Sequence, residues 1–179
     1  MITLLANLVI NPNDPNKYYI GDGDNLVVRI PADMKMFKQY TMGKTLVMGH
    51  NTFKQTGPLS GRTILVLTTK EITWTKDTEV VFMKSIDWDH LARSAEEYVV
   101  CGGTMVYNLA IPYADKLRLT MTELYPCDVG IYIGDKLFPD FNQFGPWELD
   151  MVSPAVKQAG CKTTRGLDVD NFFVAEYTK

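Results

Sequence analysis

The N-terminal segment restricts the possible folds more than any other part of this sequence. Residues 2–10 form a nearly continuous apolar run, Ile-Thr-Leu-Leu-Ala-Asn-Leu-Val-Ile. A run of this length without polar alternation is typical of a strand that is covered on both faces, as in a parallel sheet. No Lys or Arg precedes the run and no small-residue cleavage pattern follows it, so we interpret it as a buried strand rather than a secretory signal.

Strand and helix patterns alternate through the first two thirds of the chain. Further strands are predicted at residues 45–48, 63–67, 79–83, 98–101, 117–122 and 172–177, and helices at residues 31–40, 51–55, 87–97 and 104–110. This order predicts an α/β fold with a mostly parallel central sheet, helices on both faces and an antiparallel C-terminal edge. Residues 11–25 hold two Pro, two Gly and seven Asn or Asp, which predicts a long loop.

Size and charge exclude several classes of protein. A chain of 179 residues predicts a single domain, residues 1–179, with one core. The formal net charge of −3 offers no footprint for nucleic acid or for an anionic membrane, and no apolar segment approaches the roughly 20 residues of a membrane span. Cys101, Cys127 and Cys161 are widely spaced and only two His occur, so we expect no metal site. We expect a monomeric, cytoplasmic protein.

Asp33 is the first candidate for chemistry. It lies in the first turn of the predicted helix, beside the apolar Met34 and Phe37. One interpretation is helix-end electrostatics, because acidic residues stabilise this position in many helices. The other is a binding site, because a carboxylate walled by apolar groups can bind a guanidine-like edge through two hydrogen bonds or hold a proton near neutral pH.

Five further positions are candidates for binding or catalysis. The first four each allow a functional and a structural interpretation, and the fifth allows only a structural one. The Gly-Gly pair at residues 102–103 permits close approach of a phosphate or ring, or it forms a tight turn without a ligand. The Thr-Thr-Lys at residues 68–70 is an anion site or a solvated strand end. Arg62 binds a carboxylate or lies on the surface, and His50 donates to a phosphate or is a loop residue. Cys101 has no evident base nearby and is interpreted as a small buried apolar residue.

The order of these segments resembles the dihydrofolate reductase family, in its bacterial and phage-type single-domain form. The likeness includes Ile-Pro-Ala-Asp-Met-Lys-Met-Phe-Lys at residues 30–38 and Val-Cys-Gly-Gly-Thr-Met-Val-Tyr at residues 100–107. The other matching stretches are residues 2–6, 43–53, 58–68, 114–120 and 138–139. Seven segments in the family's order, at nearly its spacings, make the resemblance specific.

The resemblance implies reduction of 7,8-dihydrofolate to tetrahydrofolate, with NADPH giving a hydride to pterin C6 while N5 receives a proton. It implies two catalytic residues, Asp33, which binds the pterin edge and favours protonation through water, and Thr120, which supports it. Arg62 is implied to bind the glutamate tail. The implied substrate-binding residues are Leu5, Ala6, Leu26, Val28, Asp33, Phe37, Thr56, Leu59, Arg62, Cys101 and Thr120. The implied cofactor-binding residues are Ala6, Asn7, Gly21, Gly49, His50, Asn51, Thr52, Thr68, Thr69, Lys70, Lys84, Gly102, Gly103, Thr104, Met105, Val106 and Tyr107.

The sequence also departs from the family pattern. Val27-Val28 replaces Pro-Trp, which removes an indole near the pterin, and His50 and Met105 replace arginines on the cofactor side. Preference for NADPH over NADH then depends on residues 68–70. The family's cis peptide bond would here join Gly102 and Gly103. Two alternatives stay open: a pyrimidine deaminoreductase of the same fold, and a non-catalytic protein that binds NADPH or folate.

Two segments that form a lid in the family are lengthened here. The first lid segment (residues 11–23) and the second lid segment (residues 124–137) are each longer by roughly six residues than the short bacterial pattern. Either they still pack on each other, with Asp135 of the second holding the first closed, or they have lengthened independently.

Overall fold

The sheet forms the centre of the protein. The computed structural model describes residues 1–72, 79–125, 130–158 and 160–179, and within them twelve strands form one mixed sheet. The strands are β1 (Ile2–Asn11), β2 (Asp14–Asp22), β3 (Asn25–Leu26), β4 (Thr45–Gly49), β5 (Thr63–Leu67), β6 (Val80–Met83), β7 (Tyr98–Val100), β8 (Lys116–Leu124), β9 (Lys136–Leu137), β10 (Glu148–Val152), β11 (Val156–Lys157) and β12 (Val169–Thr178). The helices are α1 (Pro31–Thr41), α2 (His50–Thr56), α3 (Trp88–Arg93) and α4 (Thr104–Ala110), with 3-10 helices at Ile111–Tyr113 and Phe141–Phe144.

Strand β1 lies in the middle of the sheet, as its apolar run predicts. The strand order is β10-β12-β8-β1-β7-β4-β5-β6, and within this order β1 is parallel to the strands on either side of it, β7 and β8. Leu4 and Leu8 are fully buried. Strand β12 runs antiparallel to β8 and β10 at the C-terminal edge. The predicted fold class is therefore confirmed.

Alternating side chains of the central strands pack on opposite faces, because successive residues of a strand point to opposite sides. Leu46 and Met48 of β4 pack with Phe53 of α2 on one face. Val47, between them, packs with Val106 of α4 on the other face. Helices therefore cover both sides of the sheet, and each fully buried Leu or Val contributes about 1.5–3 kcal/mol.

Residues 11–25 are not the loop that their composition predicts. They form β2 and β3, and β2 pairs antiparallel with β1. Tyr18 and Ile20 of β2 are buried in the main core, so tertiary packing decides the conformation of this segment. The turn-forming Asn, Asp and Gly residues mark only the ends of β2.

The helix predicted at residues 87–97 is shorter in the structure. Helix α3 ends at Arg93, and the Ser94 amide bonds back to the carbonyls of His90 and Leu91. The chain must then become extended, because Tyr98 pairs with Ile2 of β1. Cys127 and the rest of residues 126–129, in the second lid segment, lie outside the described residues. Of the described helices, none is long and apolar enough to span a membrane.

Candidate active site

Asp33 points from the first turn of α1 towards the sheet. Its Oδ1 accepts a hydrogen bond from Thr120 Oγ1 of β8 at 2.5 Å, and its Oδ2 accepts one from Asn7 Nδ2 of β1 at 3.1 Å. Asn7 and Thr120 are paired residues of two parallel strands, so their side chains project to the same face. Helix-end electrostatics alone therefore do not account for Asp33, because its carboxylate is also bonded to two side chains of the sheet.

The surroundings of Asp33 change its affinity for a proton. Burial raises the pKa of this carboxyl above its ordinary value, because the charged form loses hydration. The hydrogen bonds from Thr120 and Asn7 and the positive charge of Arg118 oppose that increase. Arg118 is itself ion-paired with Glu176 of β12. The net result is a carboxyl that holds a proton to a higher pH than an exposed aspartate does.

Asp33 lies at the wall of a cavity of about 700 Å³, which we call the Asp33 cavity. The predicted substrate residues that line it are Leu5, Ala6, Leu26, Asp33, Phe37, Thr56, Leu59, Arg62, Cys101 and Thr120. Val28 does not line it: Val28 is 3% exposed, packs with Val27 and Ile30, and forms an isolated bridge with Thr163. Its side chain belongs to a core cluster instead.

Arg62 is held in place at the Asp33 cavity. Its Nε donates to Thr41 Oγ1 at 3.0 Å, Nη1 to the Ser60 carbonyl at 3.0 Å, and Nη2 to the Lys38 carbonyl at 3.1 Å. A guanidinium has five N–H donors, so two of them, one on each Nη nitrogen, have no partner among the residues that the structure describes. Arg62 is 9% exposed, and this fixed fork can bind a carboxylate.

A second cavity of about 570 Å³ adjoins the first, and we call it the Gly102 cavity. The residues that line both cavities are Asn7, Leu26, Thr52, Gln55, Cys101 and Tyr107. The other predicted cofactor residues that line the Gly102 cavity are Gly21, Gly49, His50, Asn51, Thr68, Thr69, Lys70, Gly102, Gly103, Thr104, Met105 and Val106. Ala6 lines only the Asp33 cavity, and Lys84 lines neither, because it extends into solvent and pairs with Glu71 at 3.3 Å.

The end of β4 and the turn between β7 and α4 leave little room for a side chain. A Cβ added to Gly49 would lie 3.3 Å from Val106 Cγ2, and one added to Gly103 would lie 3.3 Å from Thr52 Oγ1. The Gly102–Gly103 peptide bond is cis, as the resemblance implies. Thr104 Oγ1 is buried and has no hydrogen-bond partner among the described residues. A close-approaching polar ligand fits this combination of bare backbone and an unsatisfied hydroxyl.

The charges on the Gly102 cavity come from a small set of side chains. Lys70 and Lys136 line it, and Asp24 adds a negative charge. Partial burial and the charges of Lys54 and Lys70 lower the pKa of His50, so His50 is neutral at physiological pH. An anionic ligand would therefore meet lysine ammonium groups rather than an imidazolium.

Tyr107 and Cys101 lie between the two cavities and stay uncharged. Tyr107 Oη donates to the carbonyl of Leu5 at 2.8 Å, and burial raises its pKa well above the ordinary value. Burial raises the pKa of the Cys101 thiol to about 12, so it is not a nucleophile. This agrees with the sequence interpretation of Cys101 as a small buried residue.

Sequence reasoning missed several residues of the two cavities. On the Asp33 cavity they include Arg29, Met34, Met36, Met42 and Arg118, and on the Gly102 cavity Asp24, Asn25 and Lys136. Arg118 could have been found, because it stands two residues before Thr120 on β8 and so projects to the same face. Lys136 could not, because it reaches its cavity only through the pairing of β9 with β2.

The two lid segments contact each other. The amide of Gly23 donates to Asp135 Oδ1 at 2.9 Å, and the amide of Asp135 donates to the carbonyl of Gly21 at 3.0 Å. Strand β9 pairs with β2 through Gly21 and Lys136. Of the two alternatives for these segments, the contacts favour the one in which they pack on each other through Asp135.

Comparison with known proteins identifies the family. The family described as "Dihydrofolate reductase" matches residues 8–162. A dihydrofolate reductase type 3 from Salmonella typhimurium is 36% identical over 152 residues, 84% of this chain and 85% of that protein. The dihydrofolate reductase of Bacillus subtilis is 33% identical over 131 residues, 73% of each chain. A solved dihydrofolate reductase from Enterococcus faecalis, complexed with NADP(H) and RAB-propyl, is 26% identical with a TM-score of 0.71, covering 99% of this chain and 95% of its own. This chain belongs to the dihydrofolate reductase family.

Proposed function

We propose that this protein reduces 7,8-dihydrofolate to 5,6,7,8-tetrahydrofolate with NADPH. The observation that carries the proposal is the half-buried Asp33 carboxylate, which lines a cavity that adjoins a second, polar cavity and is bonded to Thr120 and Asn7. Two neighbouring cavities suit a reaction in which two rings must be brought together. The relatives from Salmonella typhimurium and Bacillus subtilis bear the name of this activity.

On the substrate side, we assign recognition of the pterin to Asp33. Each carboxylate oxygen accepts one hydrogen bond from the protein and keeps a further acceptor position. The two free positions can accept two N–H groups from the amidine-like edge of a pterin. Leu5, Phe37 and Leu59 supply an apolar wall for the rings, and the two free N–H groups of Arg62 are assigned to the carboxylate of the glutamate tail.

On the cofactor side, the Gly102 cavity fits a phosphorylated dinucleotide. Bound NADPH would supply the hydride that reduces pterin C6. We assign close contact with the cofactor to Gly49, Gly102 and Gly103 and a hydrogen bond to Thr104, because the bare backbone and the unsatisfied hydroxyl lie there. Lys70 supplies positive charge for phosphate groups, and Lys136, which is ion-paired with Asp135 at 2.7 Å, adds a second ammonium group.

The protein also has to deliver one proton to pterin N5. Burial raises the pKa of Asp33, so the carboxyl takes up a proton more readily than a solvated aspartate. We assign to Asp33 the role of retaining this proton at the cavity, from which water carries it to N5. Thr120 holds Oδ1 of the carboxylate in a fixed orientation.

We further propose that residues 1–179 form one domain that acts as a monomer in the cytoplasm. The sheet from β6 to β10 joins distant parts of the chain, which supports a single domain. The free thiols of Cys101 and Cys161 suit a reducing compartment.

Spectrophotometric oxidation of NADPH by the purified protein tests the activity. We expect oxidation that depends on added dihydrofolate, and none with the deaminated pyrimidine precursor that a deaminoreductase would use. Binding of NADPH without turnover of dihydrofolate would contradict the proposal and would favour a non-catalytic protein.

Replacing Lys70 with alanine is expected to narrow the preference for NADPH over NADH. Lys70 follows β5 at the Gly102 cavity, where its charge can favour the additional phosphate of NADPH. The ratio of kcat/KM for the two cofactors should fall by about tenfold, the effect of losing one charge-assisted contact. Lys84→Ala is the comparison variant, since Lys84 lies outside the cavity, and it should keep the wild-type ratio. An unchanged ratio in Lys70→Ala would remove Lys70 from cofactor selection.

Replacing Gly134 with alanine is expected to separate the two lid segments. The added Cβ would lie 2.5 Å from the carbonyl oxygen of Gly21 and 3.0 Å from Val27 Cγ2. Overpacking of this kind costs about 1–3 kcal/mol. Because Gly21 and Lys136 line the Gly102 cavity, we expect both a lower Tm and a higher Kd for NADPH.

A matched change in the same lid segment separates lid contact from general instability. Gly130 has a φ of 83° and open space where a Cβ would be placed. Gly130→Ala should therefore lower the Tm through backbone strain while NADPH binds with the wild-type Kd. Equal Kd values for Gly134→Ala and wild type would show that lid contact does not support cofactor binding.

A further inference from the structure

Asn7 connects Asp33 to a second polar side chain. Asn7 Nδ2 donates to Asp33 Oδ2 at 3.1 Å, and Asn7 Oδ1 accepts from Thr122 Oγ1 at 3.1 Å. Thr122 is fully buried and stands two residues after Thr120 on β8, so both hydroxyls project to the same face of the sheet. The Thr122 hydroxyl thereby orients the amide so that its NH₂ group, not its oxygen, faces the carboxylate.

This arrangement places one donor on each oxygen of Asp33. Thr120 binds Oδ1 and Asn7 binds Oδ2, which fixes the plane of the carboxylate. A ligand with two parallel N–H groups needs that plane aligned with its own, and alignment before binding lowers the entropy lost on binding. Asn7 also lines both cavities, so it stands where the two ligands of the proposed reaction would meet.

We propose that Asn7, oriented by Thr122, is a positioning residue that aligns the Asp33 carboxylate for the substrate and sets how readily it takes up the catalytic proton. A donor bonded to a carboxylate stabilises the charged form, so Asn7 opposes protonation of Asp33. The kinetic consequence depends on the reductase activity proposed above, whereas the effect on Asp33 itself does not.

Within the part of the chain that the structure describes, Asn7 bonds through its side chain to Asp33 and Thr122, and to none of the other charged or titratable groups around Asp33. Arg118 of β8 is paired with Glu176, and Tyr107 of α4 is neutral and bonded to the Leu5 carbonyl. The remaining groups on the cavity wall are Arg29, Lys38, Arg62 and Cys101. A change in the titration of Asp33 in a variant that replaces Asn7 with a neutral residue therefore reports the lost hydrogen bond.

Single-turnover rates measured against pH test the proposal. In Asn7→Ala, the Asp33 carboxyl loses a donor to its charged form and keeps its proton to higher pH. The pH at which the rate of dihydrofolate reduction falls to half should rise by about one unit. Thr122→Val frees the amide of Asn7 and should shift this midpoint in the same direction by less, whereas Thr122→Ser keeps the hydroxyl and should keep the wild-type midpoint.

Two outcomes would overturn the proposal. One is that the pH at which the single-turnover rate falls to half is the same in Asn7→Ala and Thr122→Val as in the wild type. The other is an effect of Asn7→Ala confined to the KM for NADPH, which would make Asn7 a cofactor contact only. If Asn7→Ala does not fold, the pH midpoints of Thr122→Val and Thr122→Ser are compared instead. Equal midpoints in these two variants would overturn the proposal.

A measurement on the free protein separates this proposal from the proposed activity. The ¹³C chemical shift of the Asp33 carboxyl, assigned by its loss in Asp33→Asn, reports the titration of Asp33 without substrate. Its midpoint should rise in Asn7→Ala by about one pH unit, even if the wild-type protein reduces no dihydrofolate. An unchanged midpoint in a protein that does reduce dihydrofolate would reject the role of Asn7 and leave the activity standing.

Discussion

Replacing Asp33 with asparagine is expected to lower kcat/KM for dihydrofolate by about 10²–10⁴-fold at neutral pH. Asparagine keeps the size of the side chain and an oxygen for the Thr120 hydrogen bond, but it presents an NH₂ group in place of Oδ2. That group cannot accept an N–H from the substrate and cannot retain a proton. Initial rates of NADPH oxidation at several dihydrofolate concentrations measure the effect.

Two controls show that the loss is chemical. Asp89 lies in the first turn of α3, as Asp33 lies in the first turn of α1, but Asp89 is exposed and lines neither cavity. Asp89→Asn should keep wild-type activity. Asp33→Asn should bind NADPH with the wild-type Kd, which shows that the variant is folded. Wild-type kcat/KM in Asp33→Asn would contradict the mechanism.

Replacing Arg62 with methionine is expected to raise the KM for dihydrofolate by about 100-fold, because loss of one partner of a buried charge pair costs 2–5 kcal/mol. Methionine fills part of the space but supplies no donor to a carboxylate. Since Arg62 is assigned to the glutamate tail rather than to the pterin, kcat should change much less than KM. Steady-state kinetics with dihydrofolate separate the two parameters.

The structural role of Arg62 requires a matched substrate. Arg62 also bonds Thr41, Ser60 and the Lys38 carbonyl, so its removal can disturb the end of α1. A reduced pterin that lacks the glutamate tail cannot use the guanidinium. Wild type and Arg62→Met should therefore reduce this substrate with similar kcat/KM. Equal loss with both substrates would mean that Arg62 acts through α1 and not on the tail.

The central strands could be predicted because their signals are local. The apolar run of β1 and the Pro31 at the start of α1 determine their conformations whatever the neighbouring elements are. Residues 11–25 could not be predicted in the same way, because their composition is that of a loop. The side chains of Tyr18 and Ile20 find their core partners only in the folded protein, and this packing makes β2 a strand.

The candidate site likewise has parts that the sequence predicts and parts that depend on the folded structure. Asp33 by itself favours helix-end electrostatics over a binding role, and its partners Asn7 and Thr120 are 26 and 87 residues away in the chain. Their convergence depends on the parallel pairing of β1 and β8. Resemblance to a family identifies positions but not the directions of side chains. For that reason Val28 and Lys84 were expected at the site, although one packs in the core and the other extends into solvent.

The most direct test of the account measures whether the hydride of NADPH is transferred to C6 of the pterin. NADPH carrying deuterium at nicotinamide C4 is incubated with dihydrofolate and the wild-type protein in a single turnover, and the product is analysed by NMR. The account predicts tetrahydrofolate with deuterium at C6 from the wild-type protein, and a much slower formation of the same product by Asp33→Asn. Unchanged dihydrofolate, or product formation at the same rate in both proteins, would contradict it.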